Sequence, residues 1–371
     1  MIIPIFLPQQ GCPGHCVFCN QVELTGQAGC VDEMLVETTV QAYLSTAKTR
    51  HNERPWAEAI AFYGGSFTLL PAATQDRLLA AAGRWVRQGS VGALRLSTRP
   101  DGIDQSTVER LVTAGVSTVE IGTQSMRDDV LQASGRCHSA KDTERAATLL
   151  QQAGFAVGIH LMTGLPGDDE EGCLFSLQRI LELRPDFLRI HPTLVLAGAP
   201  LAEQWRQGSY QPWTWGRTLR LLAVMAERCA AAKVPVIRWG LMPGERCQGA
   251  TLAGPVRPDL GEWVRRMVGL NYALTGASRW AKELAGADGP VLLVPEEDLS
   301  LVTGHGRWLL RHWQAATGLS LEVQAEGRRL KSSISTERPL WQPLVGPWKF
   351  FIDEKKILSF DKEELIGNER I

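Results

Sequence analysis

Short apolar runs alternate with segments of helical spacing along the first half of the chain. Runs of four to eight residues rich in Val, Ile, Phe and Leu fall at Ile2 to Leu7, Ala59 to Tyr63, Ala93 to Ser97, Thr118 to Gly122, Phe155 to Met162 and Phe187 to His191. Apolar residues at i, i+3 and i+4 predict helices between them, over Leu35 to Leu44, Gln75 to Val86, Ser106 to Val112, Lys141 to Gln152 and Glu171 to Leu183. Strands that alternate with helices require parallel crossovers, and these strands are apolar enough to be covered on both faces. After Pro192 the pattern becomes a helical stretch, Trp213 to Ala232, closed by a strand-like Val234 to Trp239.

The unusual residues all fall at the C-terminal ends of the strands. Gly11 to Asn20 follows the first, Gly64-Gly65-Ser66 the second, Thr98 to Asp101 the third, Thr123 to Ser125 the fourth, Thr163 to Gly167 the fifth and Pro192-Thr193 the sixth. A barrel gathers such ends into one mouth, whereas an open sheet concentrates ligand residues near its switch point. Six equivalent stations predict an α/β chain built on a partial (β/α)6 TIM-type barrel, followed by a small C-terminal α+β accessory domain. The expected division is 1–245 for the core with its helical and strand extension, 246–345 for the accessory domain and 346–371 for a charged tail. The tail holds four of the nine Lys and no Ala.

Composition narrows the class. With 39 Lys and Arg against 40 Asp and Glu the formal net charge is -1, which argues against a protein that coats polyanions. Pro4 and Pro8 interrupt the apolar start before a secretory core could form, and no apolar run approaches the ~20 residues of a membrane helix. The expectation is a cytoplasmic protein without membrane attachment. In a reducing compartment, eight cysteines in 371 residues are ligands or catalysts where they cluster. Ten of the twelve Trp lie beyond residue 200, and Arg307, Arg311, Arg328, Arg329 and Lys331 give one late region a mild positive character; core Trp and solvated Arg account for both.

Cys12, Cys16 and Cys19 form a C-x3-C-x2-C loop after the first strand. Structural zinc and closed iron-sulfur sites normally take four protein ligands, so three thiols leave one position for an exchangeable ligand. His15 or Cys30 could instead close the site, which would make the chain an electron-transfer or structural metalloprotein.

This loop, with Phe18 just before its last Cys, resembles the radical S-adenosylmethionine superfamily. Phe62 to Thr68, Ser97 to Asp101, Glu120 to Ser125, His160 to Asp168 and Arg189 to Thr193 are similar to the branch that contains the catalytic subunit of Elongator and its shorter bacterial relatives. Oxygen-independent coproporphyrinogen oxidase is a more distant likeness. The resemblance implies that Cys12, Cys16 and Cys19 hold a [4Fe-4S] cluster whose open iron chelates S-adenosylmethionine. One electron then splits the sulfonium to a 5′-deoxyadenosyl radical that abstracts hydrogen from substrate. It also implies an external electron donor of flavodoxin or ferredoxin type.

For the remaining stations the resemblance places Phe18 beside the adenine, and Gly64, Gly65 and Ser66 against the methionyl group. A Cβ at position 65 is then expected to block the cofactor and leave the cluster loop assembled. Glu120, Gly122 and Gln124 share one face of the fourth strand by period-two alternation. A carboxylate buried there needs a cation or the cofactor, with Arg99, Arg136 and Arg189 as candidate partners; the alternative to a cofactor contact is an internal salt bridge that only shapes the barrel. Gly135-Arg136-Cys137-His138 resembles a segment of the porphyrin-acting relatives whose Arg meets the cofactor carboxylate; the Elongator-like pattern is usually Arg-Gly-His. His160 shares a strand face with Met162, and the turn containing Gly164 is expected to read the adenine. The Elongator likeness points to an RNA base as substrate; a porphyrin or another small metabolite is the alternative.

Overall fold

The computed structural model describes residues 1–14, 16–26, 29, 31–47, 57–241, 249–279, 291–326, 348–353 and 356–360. His15, Cys30, Cys247, Arg328, Arg329 and Lys331 lie outside them.

The alternation in the sequence becomes six parallel strands: β1 (Ile2–Phe6), β2 (Ala57–Tyr63), β3 (Val91–Thr98), β4 (Val116–Gln124), β5 (Ala156–Thr163) and β6 (Phe187–Pro192). Two short strands follow, β7 (Val195–Leu196) and β8 (Val236–Trp239). The main sheet has seven strands in the order β1-β2-β3-β4-β5-β6-β8 and curls as a half-barrel. One strand more than the six expected is present, because β8 adds beside β6. β1 is an edge strand, which is why Pro4 is tolerated inside it. Ile3 and Ile5 are buried under the helical layer, while Ile2, Pro4 and Phe6 alternate to the concave side.

The first helices are α1 (Gln21–Thr25), α2 (Glu33–Ala47), α3 (Ala72–Arg87), α4 (Gln105–Thr113), α5 (Asp128–Ala133), α6 (Ala140–Gln152), α7 (Glu170–Glu182) and α8 (Pro200–Arg206). Several start at side-chain caps that satisfy otherwise orphaned N–H groups. Asp104 accepts from Thr107 N, Asp169 accepts from Gly172 N, and Ser139 with Asp142 forms a capping box. α1 and α5 are too short to show a period in the sequence.

By Cα proximity the chain divides into two compact units, 1–215 with 238–258, and 216–237 with 259–371. The first contains the parallel strands. It also holds β9 (Thr251–Ala253), antiparallel to β7. The second contains most of α9 (Trp215–Ala231), together with α10 (Leu260–Arg279), β10 (Val291–Pro295), α11 (Glu296–Thr317) and β11 (Glu322–Glu326). β12 (Trp348–Asp353) and β13 (Lys356–Phe360) complete a four-stranded sheet of order β11-β10-β12-β13, so tail residues extend this sheet. Trp313 is buried on α11, Trp263 meets Trp308 edge-on at 5.3 Å, and Arg307 and Arg311 are exposed.

Candidate functional site

The β1–α1 loop and the β2 turn are built against each other. Gly11 and Gly64 have φ of 72° and 100°, which favours glycine at both. Ser66 N donates to Gln10 O at 2.9 Å, Gln9 N donates to Gln21 Oε1 at 2.6 Å, and Gln21 Nε2 donates to the Gly64 carbonyl. A Cβ on Gly65 would stand 2.2 Å from Gln10 O and 2.5 Å from Leu7 O. This corrects the expectation for position 65: its glycine first lets the cysteine loop lie on the turn, so a side chain there displaces the loop itself.

That loop brings Cys12, Cys16 and Cys19 to the wall of a cavity of ≈ 720 Å³, shared with Phe18, Gly64, Gly65, Ser66, Arg99, Gln124, Arg136, His160 and Arg189. Cys12 Sγ is 3.3 Å from Ser66 Oγ. Arg136 donates through Nη1 to Cys16 Sγ at 3.3 Å and through Nη2 to the Gly122 carbonyl. Burial, and after it the sulfurs of Cys16 and Cys12, push the Cys19 thiol up to about 12. Buried beside two other sulfurs, the Cys19 thiol resists ionising until a cation joins it, as an iron-sulfur cluster would. Among the described residues, no three His, Cys, Asp or Glu side chains close to single-ion spacing. The donor set, the glycine turn and the adjacent guanidinium fit an iron-sulfur cluster with a zwitterionic ligand beside it.

The other residues separate into two groups. Gln124 sits at positive φ (70°) where the β4–β5 register shifts, so strict alternation ends before it, and its side chain still reaches the cavity. Phe18 packs on Val195, Leu201, Ala202 and Tyr210. Arg99 is engaged by Asp101 through two hydrogen bonds of 2.9 and 2.7 Å. Gly164 does not line the cavity: its carbonyl accepts from Tyr210 Oη at 2.7 Å, and a Cβ there would touch Trp213 at 3.0 Å. Gly164 therefore stands apart from the residues that line the cavity, with its backbone oxygen engaged by Tyr210.

Of the two partners expected for Glu120, a cation or the cofactor, the structure shows cations. The residue is 0% exposed on the concave face and is covered by its own partners, so it does not itself line the cavity. Of its three proposed partners only Arg189 reaches it, with Nε 2.7 Å from Oε2 in an ion pair off hydrogen-bond alignment, and Nη2 3.3 Å from Oε1. Arg95, unnoticed in the sequence, donates from Nη2 at 2.6 Å and Nε at 3.1 Å. His160 Nε2 stands 2.7 Å from Oε2, and Tyr63 Oη donates to Oε1 at 2.9 Å. Burial alone would raise the Glu120 pKa; the His160 bond and the charges of His160, Arg189 and Arg95 outweigh it and hold the carboxyl far below the usual carboxylate range. A charge in the middle of Leu94-Arg95-Leu96 was the available signal for Arg95. The same network pushes the Tyr63 phenol up to about 12, first through burial and then through Glu120.

Comparison with known proteins decides the family. Residues 6–178 match the radical SAM superfamily model, and 185–268 match the Radical_SAM C-terminal domain. The chain belongs to the radical SAM superfamily. It is 33% identical over 134 residues to a tRNA uridine(34) acetyltransferase of Methanocaldococcus jannaschii, covering 35% of this chain and 25% of that protein. It is 28% identical over 180 residues to Elongator complex protein 3 of Dictyostelium discoideum, covering 43% and 32%. The matched stretch thus spans about a quarter to a third of these relatives. In fold it is similar to archaeal Methanocaldococcus infernus Elp3, with a TM-score of 0.59, 21% identity, and coverage of 73% of this chain and 62% of the other. The cofactors of this family are a [4Fe-4S] cluster and S-adenosylmethionine, and Cys12, Cys16 and Cys19 are the thiols of this chain that would hold the cluster. Among the described residues no helix is long and apolar enough to cross a membrane.

Proposed function

We propose that this radical SAM enzyme modifies a base of RNA, with a tRNA uridine as the first substrate to test. The observation that carries the chemistry is the joint presence of Cys12, Cys16, Cys19, Gly64, Gly65 and Arg136 on one cavity. The substrate class rests on likeness to proteins named tRNA uridine(34) acetyltransferase and Elongator complex protein 3.

The three thiolates would hold the cluster by three irons. When bound, the cluster supplies an electron that splits S-adenosylmethionine and yields a hydrogen-abstracting 5′-deoxyadenosyl radical. Arg136 would pair with the methionyl carboxylate, and the backbone of Gly64 and Gly65, which lines the cavity, would approach the methionyl amino group. Phe18 offers an apolar face for adenine, and Gln124 polar atoms for the ribose. Burying these groups in a trough excludes water, which protects a reactive species. Glu120 acts as a positioning residue, since it orients His160 and Arg189. An external one-electron donor of flavodoxin or ferredoxin type and a cytoplasmic location belong to the same reading. We assign 1–245 as the catalytic core and 246–345 as accessory, with 346–371 a tail that adds β12 and β13 to the accessory sheet.

Anaerobic protein given S-adenosylmethionine and dithionite should release 5′-deoxyadenosine and methionine. Comparing the nucleosides of tRNA and the tetrapyrroles of a deletion strain then decides the substrate. A missing uridine modification supports the proposal; unaltered tRNA with accumulated tetrapyrrole overturns it in favour of the reading suggested by Gly135 to His138. A cluster that never cleaves S-adenosylmethionine would instead favour an electron-transfer protein.

A further inference from the structure

The concave face carries a polar belt drawn from successive strands: Tyr63 on β2, Arg95 on β3, Glu120 on β4, His160 on β5, Arg189 on β6 and Arg238 on β8. Three arginines in this belt face one carboxylate. Glu120 is already shared by Arg95, Arg189, His160 and Tyr63, so no acceptor of it remains for a third guanidinium. Arg238 is half-buried, lines the cavity, and makes no hydrogen bond or ion pair among the described residues. The groups that act on it are Arg189, which repels it, and the Tyr63 oxygen; burial, then Arg189, lowers its pKa. A half-desolvated cation beside a like charge is costly unless an anion joins it. Nearby, the buried His191 Nδ1 also has no partner among the described residues.

The cavity has room for such an anion apart from the cofactor cradle. It extends from the thiols to Ile2 and Glu58 at the other ends of the strands. Glu58 precedes Tyr63 by five residues, about 16 Å at the rise of a β-strand. It is therefore remote from the belt, and it is not among the groups that shift Arg238.

We propose that Arg238, with Arg189, forms an anion subsite in the lumen that takes a carboxylate or phosphate of the molecule sharing this cavity with S-adenosylmethionine. This rests on the radical SAM reading above and adds that the substrate or co-substrate is anionic. Guanidinium groups suit either oxyanion because their planar N–H forks match it in pairs.

The test uses full-length, cluster-reconstituted protein without reductant or S-adenosylmethionine, melted in sodium chloride, sodium phosphate or sodium acetate at equal ionic strength. Wild type should gain about 2 °C or more in phosphate or in acetate over chloride, and the larger gain identifies the oxyanion. Arg238→Met should melt at or above wild type in chloride, because it removes an unpaired cation, and should lose the gain. Arg238→Lys, which keeps the charge without the fork, should retain part of it. No gain in wild type, or an undiminished gain in Arg238→Met, overturns the subsite. An Arg238→Met protein that fails to fold or melts well below wild type in chloride also overturns it, since the guanidinium would then have a structural partner. Protein that shows the gain yet never forms 5′-deoxyadenosine would overturn the radical-enzyme reading alone.

Discussion

Gly65 and Gln10 approach so closely that a Cβ on Gly65 would lie 2.2 Å from the Gln10 carbonyl oxygen. The strand β2 turn is thus the seat on which the cysteine loop rests. The same geometry holds in reverse, since a Cβ on Gly11 would lie 2.2 Å from Ser66 O. The glycine turn and the cysteine loop are therefore assembled by one set of backbone contacts.

Replacing Gly65 should consequently damage the cluster before it damages cofactor binding. Both obstructing atoms are backbone carbonyls, which cannot swing aside. Gly65→Val is expected to incorporate less than half the iron of wild type under identical anaerobic reconstitution. An iron-replete Gly65→Val protein with only its S-adenosylmethionine affinity reduced would restore the simpler cradle role.

The cluster itself should be lost on replacing any one of Cys12, Cys16 or Cys19 by Ala, with about four irons per chain falling toward zero and the brown absorbance disappearing. Cys173 and Cys229 are buried elsewhere, Cys173 donating to Asp168 Oδ2 at 3.0 Å. Their Ser variants should keep full iron, as measured by iron content and visible spectrum.

Glu120→Gln should be strongly destabilising, by about 3–5 kcal/mol, because it leaves Arg95 and Arg189 as buried cations without their counter-charge. A melting temperature lowered by more than about 6 °C is expected. Adding Arg95→Met to Glu120→Gln should cost less than the sum of the two single changes, since the second removes a charge the first has stranded. Additive losses would show that the pair is not coupled.

Acid should destabilise the fold in two steps of the same sign. His138 and His191 are lowered to about 4 and about 3, in both cases first by burial, so the unfolded chain binds more protons than the folded one below about pH 6.5. Glu120 is depressed as well, so its contribution is complete above its unfolded value of about 4.3 and disappears as pH falls toward its folded value. Stability should therefore decline from about pH 6.5 downward and more steeply below about pH 4. Denaturant midpoints across pH 3–8 measure this, and in Glu120→Gln the lower step should be diminished.

The order of strands and helices, the parallel sheet and the three thiols were legible from residue spacing, because local periodicity and ligand spacing are properties of short segments. The motif resemblance carried the cofactors with it. Tertiary structure decided what spacing cannot express: which cation meets which anion across strands. Glu120 and Arg189 are 69 residues apart, and Arg95 lay hidden as one charge in an apolar strand. Gly65 and Gly164 showed the same division. Each is a glycine in a suggestive turn, but the close approach of Gln10 in one case and of Tyr210 and Trp213 in the other is set by distant chain segments brought together by packing. Sequence determined the chemistry available to this protein, and folding determined which of those groups face the cavity and which are spent on holding its wall.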